Sequence, residues 1–156
     1  DFLNITNGLA AVQYYGEVHQ HPTNKMLHMV LLPWACCGFS LGVPALFKMS
    51  VKYAGVLRNF LYITYFVHYS GMNNLIAMIY AIIYFPPLMI SHYYYKPTLT
   101  VAAQGLGLAT GLMLFMEIVG HTFYEIDNSR PEGVLSAILY SHYFISYEWA
   151  KFIENL

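Results

Sequence analysis

Long stretches without a charged side chain constrain this chain more than any other feature of its sequence. Among its 156 residues, Asp, Glu, Lys and Arg are missing from four stretches, at 26–47, 59–95, 97–116 and 133–147. A helix needs about 20 mostly apolar residues to cross the hydrocarbon core of a bilayer, so the first and third stretches fit one crossing each and the second has room for two. The sequence therefore predicts an all-α protein, a polytopic bundle of transmembrane helices.

Turn residues and small residues divide these stretches into membrane segments. Residues 71–74, Gly-Met-Asn-Asn, are a natural turn because Gly and Asn accept left-handed backbone conformations. Gly105 and the small residues around it let neighbouring helices approach closely, so we expect the fourth segment to lie inside the bundle. We predict a single integral-membrane domain over residues 1–156, with four to five segments near 26–47, 52–70, 74–92, 98–119 and 133–150.

Composition and simple motifs exclude several classes of function. Hydrophobic residues make up 58% of the chain and charged residues 10%, with a formal net charge of -1. Nucleic acid is not an expected partner, because phosphate binding needs a basic patch, whereas membrane lipids are expected. Cys36 and Cys37 are adjacent within an uncharged stretch, which is not the pattern of a disulfide framework or of a spaced zinc site.

Histidines are the polar feature that membrane packing does not explain. The chain has seven of them, and ionisable groups at membrane depth are costly and tend to mark function. With five segments, the stretch from His19 to His28 and the later His121 emerge on the same membrane face. His68 ends the second segment on that face and is a further candidate, whereas His92 falls on the opposite face. His68 and His92 lie next to aromatic runs, and each also suits an interfacial or hydrogen-bonded role.

Acidic residues on the same face add carboxylates to the candidate metal ligands. Asn24 and His28 are four residues apart and share one helical face. The acidic residues available on the same side are Glu17, Glu117 and Glu125, with Glu117 as a further candidate ligand. Two or three imidazoles with one carboxylate and open positions are the ligand set of a non-haem Fe(II) oxygenase, and three imidazoles also suit zinc.

Two motifs that carry these residues resemble a known family. The first is the segment 14–28, Tyr-Tyr-Gly-Glu-Val-His-Gln-His-Pro-Thr-Asn-Lys-Met-Leu-His. The second is Val119-Gly120-His121, followed by Glu125 and by Arg130-Pro131. Together with Tyr143-Phe144 and Glu148, they resemble a family of small polytopic membrane proteins, formerly a domain of unknown function, whose characterised branch is the 2-hydroxy fatty acid (2-hydroxypalmitate) dioxygenases.

The resemblance implies an oxidoreductase of fatty acid metabolism. It implies an Fe(II)-dependent dioxygenase of the endoplasmic reticulum membrane that uses O2 to cleave a long-chain 2-hydroxy fatty acid between its first two carbons, in alpha-oxidation. The iron ligands, or their near neighbours, are then His19, His28 and His121, the three that the crossing count places on one face. The catalytic candidates are Asn24, Glu125 and Arg130, and Arg130 would pair with the substrate carboxylate, for which its planar fork is suited.

The chain departs from the family pattern at three places, and a second class of function stays open. Glu117 stands where the family usually has glutamine, His142 stands where proline is expected, and the link from His121 to Arg130 is about two residues longer. The alternative is a non-catalytic accessory or structural subunit of a large membrane assembly, such as a respiratory complex of the mitochondrial inner membrane. A weakly charged exterior rich in Tyr, Phe and Met fits contacts with other membrane-protein subunits. In that role the protein would need no cofactor.

Overall fold

A computed structural model describes residues 12–13, 15–17, 19–125 and 134–155 of the chain. These residues form helices and connections without a strand. The helices are α1 (Pro22–Leu46), α2 (Val51–Ser70), α3 (Asn74–Tyr94), α4 (Leu99–Phe115) and α5 (Val134–Glu154), and α4 continues directly into a π-helical segment, Met116–Thr122. The prediction of an all-α fold is confirmed.

Three helices of the described chain are long and apolar enough to cross a membrane. They are α1, α3, and α4 together with its π-helical continuation, Leu99–Thr122. This is consistent with an integral membrane protein, although the number of segments found by length and hydropathy is three rather than the four to five predicted. Helix α2 has 20 residues but carries Lys52 and Arg58, which lower its hydropathy.

Polar caps fix where the helices begin. Pro22 occupies the first turn of α1, and the ring of His21 accepts a hydrogen bond from the Thr23 N–H. Ser50 caps α2 and Asn73 caps α3 in the same way, each accepting from backbone N–H groups of the first turn. Helix α1 therefore begins four residues before the predicted boundary at 26, because Pro suits a first helical turn and Lys25 is tolerated there.

Helix α1 is the central element of the bundle. It contacts α3, α4, the π-helical segment and α5, whereas α2 packs mainly on α3. The turns at 47–50 and 71–73 reverse the chain direction between successive helices. We call the end of the bundle that holds the start of α1 and the π-helical segment the histidine end. The opposite end, which holds the exposed Lys48, Lys52 and Lys96, is the lysine end.

Helices α1 and α4 meet backbone to backbone. A Cβ at Gly38 would lie 2.6 Å from the Gly105 carbonyl oxygen, and a Cβ at Gly42 would lie 2.6 Å from the Leu106 nitrogen. A Cβ at Gly107, by contrast, would meet nothing within 4 Å. Helix α4 thus packs along one face and leaves the rest of its surface exposed, so the prediction that it lies inside the bundle is wrong.

Helix α5 covers the histidine-end parts of the other helices. The ring of Tyr140 contacts the ring of His68, which is near the end of α2. Further along α5, Glu148 pairs with Lys25 at 3.6 Å, and the Trp149 indole N–H donates to the Met29 carbonyl oxygen at 3.2 Å. These contacts tie α5 to both α1 and α2 close to the three candidate metal ligands.

Candidate metal centre

Three histidines from separate parts of the chain meet at the histidine end. The ring centroids of His19 and His28 are 4.6 Å apart, those of His19 and His121 are 4.7 Å apart, and those of His28 and His121 are 5.4 Å apart. One ligand nitrogen from each residue lies within 4.8 Å of the others, and no side chain is more than 8% exposed. The three buried histidines are therefore close enough to bind one metal ion.

Backbone carbonyls set the tautomers of two of these rings. His19 Nδ1 lies 2.9 Å from the Tyr15 carbonyl oxygen, and His28 Nδ1 lies 3.0 Å from the Asn24 carbonyl oxygen. A carbonyl oxygen can only accept, so both rings carry their proton on Nδ1 and donate it, which leaves the Nε2 lone pair free. Metal-binding histidines are held in the same way, with the second ring nitrogen donating to an oxygen.

Unpartnered ring nitrogens show that the residues fit a metal ion. His19 Nε2 and His121 Nδ1 are buried and have no hydrogen-bond partner within the part of the chain that the structure describes. A buried polar atom without a partner costs free energy, on the order of 1–3 kcal/mol. A metal ion bound between the rings would supply the missing partner for both atoms.

The surroundings of His19 keep its imidazole neutral and fixed in place. Burial, followed by the neighbouring His28, lowers the pKa of His19 from 6.5 to about 3. The ring stacks on Tyr15 at 4.7 Å between centroids, and Phe144 lies 5.6 Å away. A neutral imidazole is the form that binds metal, so this ligand needs no deprotonation at neutral pH.

Asn24 and Glu125 connect the start of α1 to the chain that follows the π-helical segment. Asn24 is fully buried, and its side-chain NH2 donates to Glu125 Oε1 at 2.9 Å. The backbone N–H of His21 donates to the same oxygen, also at 2.9 Å. Burial raises the pKa of Glu125, but these hydrogen bonds outweigh it and the pKa lies below its usual value. The backbone carbonyl oxygen of Asn24 accepts a hydrogen bond from the His28 ring. The pair of Asn24 and Glu125 therefore positions a candidate metal ligand, His28.

The π-helical segment that presents His121 could not be read from the sequence. Such segments are wider than an α-helix and are frequent at functional sites. Gly120 lies within it, and a Cβ there would collide with Asn24 Oδ1 and come within 3.6 Å of His28 Cε1. Gly120 therefore permits the close approach that brings His121 to His28. The sequence signal for this close approach is the glycine before His121, which is part of the motif Val119-Gly120-His121.

Two of the remaining predicted site residues are not among the closely spaced ligand atoms, and a third lies outside the described residues. His68 is exposed and contacts the rings of Tyr69 and Tyr140. Glu117 is exposed on the π-helical segment, and neither it nor His68 belongs to the group of ligand atoms around His19. Arg130 lies outside the described residues, so its predicted pairing with a substrate carboxylate stays a prediction.

Two polar side chains within the bundle were not among the predicted site residues. His142 lies inside the bundle, with its Nδ1 2.7 Å from the Tyr84 hydroxyl and its Nε2 3.9 Å from Cys36 Sγ. Arg58 lies within α2 and is only 3% exposed, although its position after Lys52 is typical of an interfacial arginine. Arg58 is thus a charged group held away from water, whereas His142 is partly buried.

Comparison with known proteins does not assign a class to this site, so its class is argued from its geometry. No protein-family model, no curated protein and no solved structure matches this chain. The structure has a buried cluster of three histidines at one end of a helical bundle. The resemblance to the 2-hydroxy fatty acid dioxygenases that the sequence motifs suggest therefore stays a prediction.

Proposed function

We propose that the protein is a membrane-embedded, non-haem Fe(II)-dependent dioxygenase that acts on long-chain 2-hydroxy fatty acids. The observation that carries the proposal is the meeting of three buried imidazoles whose ring nitrogens can bind one ion. Three protein ligands leave coordination positions open, as catalytic metal sites require. Bound Fe(II) would supply the activation of O2 and the attachment point for the carboxylate and hydroxyl of the acid.

Side chains of this chain would orient the substrate beside the three rings. Asn24 Oδ1 is buried and has no hydrogen-bond partner among the described residues, so it can accept the hydrogen bond of a substrate hydroxyl. Tyr15 and Phe144 flank His19 and make an apolar wall, which excludes water from the reacting end. On this proposal Arg130 pairs with the substrate carboxylate, and Glu125 keeps Asn24 in place.

The proposal includes four membrane crossings, by α1 to α4, in the endoplasmic reticulum membrane. Helix α2 must connect the lysine end to the histidine end, because turns of only a few residues join it to α1 and α3. Its 20 residues extend over about 30 Å, which matches the hydrocarbon thickness of a bilayer. The choice of membrane follows from the family resemblance.

The test combines metal analysis with product analysis. We expect the purified protein to contain about one iron per chain, and to consume O2 and release a fatty acid one carbon shorter when 2-hydroxypalmitate is added. We expect His121→Ala to lose both iron and turnover, because one of three ligands is missing. His68→Ala is the matched control, since His68 is exposed and apart from the site. A wild-type protein with bound iron and no turnover would contradict the proposal.

A second candidate, a non-catalytic subunit of a large membrane assembly, is favoured by one feature of the same site. The three ligands come from the segment before α1, from α1 and from the π-helical segment, and all are buried. A metal ion bound there would cross-link three parts of the chain, as structural zinc does. This candidate would be favoured by three results together. The protein would contain stoichiometric zinc, would consume no O2, and would comigrate with a mitochondrial inner-membrane complex on a native gel.

A further inference from the structure

A cavity separates helices α1 and α2 on the side of α1 that faces away from α4. Its volume is about 320 Å³, and residues of α1, α2 and α3 line it together with His142. The two helices come together near the turn that joins them, where Ala45 and Ala54 share a buried cluster. Beyond that cluster the cavity lies between them. Pockets for small organic ligands begin at roughly this size, near 300 Å³.

Arg58 lies in the wall of this cavity as a buried cation without an acidic partner in the described ranges. Its Nη1 donates to the Ser40 carbonyl oxygen at 3.3 Å, and its guanidinium lies 4.6 Å from the centroid of the Tyr95 ring. Its Nε and Nη2 have no hydrogen-bond partner among the residues that the structure describes. Two donors of a planar fork are thus unused inside the protein, and a buried charge of this kind calls for an anion.

The position of Arg58 along its helix places the guanidinium close to the lysine end. Arg58 follows the first residue of α2, Val51, by seven positions, or about 10 Å at the rise of an α-helix. Tyr95, which the guanidinium contacts, caps the end of α3 on the same side. Exposed Lys48, Lys52 and Lys96 surround this end. Together they resemble the basic pockets between membrane helices that bind anionic lipid headgroups.

The rim of the cavity is apolar and open to the surroundings of the bundle. Phe39, Val43 and Leu61 line it and are 40%, 37% and 47% exposed. In a bilayer these side chains would face lipid, so an acyl chain could enter from the side without leaving the hydrocarbon layer. The volume suits part of one chain rather than two.

We propose that this cavity holds one acyl chain of an anionic phospholipid whose phosphate binds Arg58. Phosphate oxygens match the two unused donors of the guanidinium, and the lysines at the same end attract a negatively charged headgroup. The acyl chain fills the gap between α1 and α2. The site lies at the end of the bundle opposite to the three histidines and does not depend on the proposed enzyme activity.

Native mass spectrometry of the delipidated protein tests this assignment with dioleoyl phosphatidylglycerol as the probe. We expect one tightly bound copy in the wild type. In Arg58→Met the affinity should fall at least about tenfold, because a charge-assisted hydrogen bond is lost. Lys151→Met removes the same charge from an exposed site outside the lysine end and should bind as the wild type does. Equal affinity of Arg58→Met and wild type would overturn the proposal.

A second variant keeps the test decisive if Arg58→Met does not fold. Leu61→Trp leaves Arg58 in place but puts a bulky ring at the rim, so it should exclude the lipid. Phe60→Trp is its matched control, because Phe60 is 63% exposed and is not part of the lining. Wild-type affinity in Leu61→Trp, or displacement of the phospholipid by equimolar palmitate, would overturn the proposal. Metal content should be unchanged in all four variants, which separates this test from that of the metal centre.

Discussion

The two sides of helix α1 show opposite ways of packing within one bundle. Towards α4, Gly38 and Gly42 let the backbones touch, with space for no more than a hydrogen atom at either position. Towards α2, a cavity of about 320 Å³ lies between residues 33–44 of α1 and residues 57–65 of α2. Both sides are formed by neighbouring residues of the same helix, so the difference depends on the side chains at these positions and on the helix that each side faces.

This difference separates a helix contact that protein atoms fill completely from one that leaves a gap. Lipid tails are as apolar as leucine, so membrane helices associate through close packing rather than through the hydrophobic effect. Small residues at Gly38, Gly42 and Gly105 provide that packing between α1 and α4. Between α1 and α2 the packing is incomplete, and a lipid can fill the remaining space. The α4 side should therefore tolerate no added volume, whereas the α2 side should tolerate some.

The largest expected effect comes from adding a side chain on the α4 side. In Gly42→Leu, the new Cβ would lie 2.6 Å from the Leu106 nitrogen, which belongs to a helix backbone and cannot rotate away. We expect a loss of about 3 kcal/mol or more in the free energy of unfolding, or no folded protein, because overpacking of this kind forces backbone shifts. Thermal unfolding in detergent, followed by circular dichroism, measures the change.

Gly107→Leu is the control for that change. It makes the same substitution on α4 at a position where a Cβ meets nothing within 4 Å, so it should unfold as the wild type does. Helix propensity favours Leu over Gly at both positions, so similar losses in the two variants would contradict the explanation by contact between α1 and α4.

A smaller effect is expected where the π-helical segment meets α1. In Gly120→Ala, the added methyl group collides with Asn24 Oδ1, which must move together with the segment that carries His121. Displacing a group that positions a ligand lowers metal affinity by about 10–100-fold, and we expect a loss in this range. Competition with a chelator of known affinity measures it. Gly111→Ala, where a Cβ meets nothing, should retain wild-type affinity, and an equal loss there would refute the explanation.

Much of the fold follows from the distribution of charge along the sequence. Charge-free stretches cover all of α3 and α4 and nearly all of α1, because a buried or lipid-facing helix cannot carry many charges. The crossing count then places His19, His28 and His121 on one face, where the structure brings their rings together. Three helices are long and apolar enough to cross a membrane, so the number of crossings stays a prediction. The reversal of chain direction between successive helices is what brings the start of α1 and the end of the π-helical segment to one end of the bundle.

The details that make the site could not be predicted in the same way. The π-helical turn depends on the contact between Gly120 and Asn24, two residues that are far apart in the sequence. The burial of Arg58 depends on a cavity and on the Tyr95 ring, and a lone arginine in a sequence is typical of an interface. Both features arise from packing between helices, which a periodic pattern does not record.

A modest effect is expected from the partly buried hydrogen bond between Tyr84 and His142 in the lining of the cavity. The Tyr84 hydroxyl lies 2.7 Å from His142 Nδ1, and both side chains line the cavity. In Tyr84→Phe this bond is lost, so the free energy of unfolding should fall by about 1 kcal/mol. Tyr93→Phe, at a side chain that is 82% exposed, is the control and should change nothing. No change in Tyr84→Phe would mean that His142 finds another partner in the cavity.

The smallest effect is expected one residue away from the largest. Val43 follows Gly42 but lines the cavity and is 37% exposed, so Val43→Leu adds a methylene group where there is space. The free energy of unfolding should change by no more than about 0.5 kcal/mol, as for other substitutions without a strained contact. The same thermal unfolding measurement compares it with Gly42→Leu. A loss near that of Gly42→Leu would mean that α2 packs against α1 as closely as α4 does, and the two sides of α1 would then no longer differ.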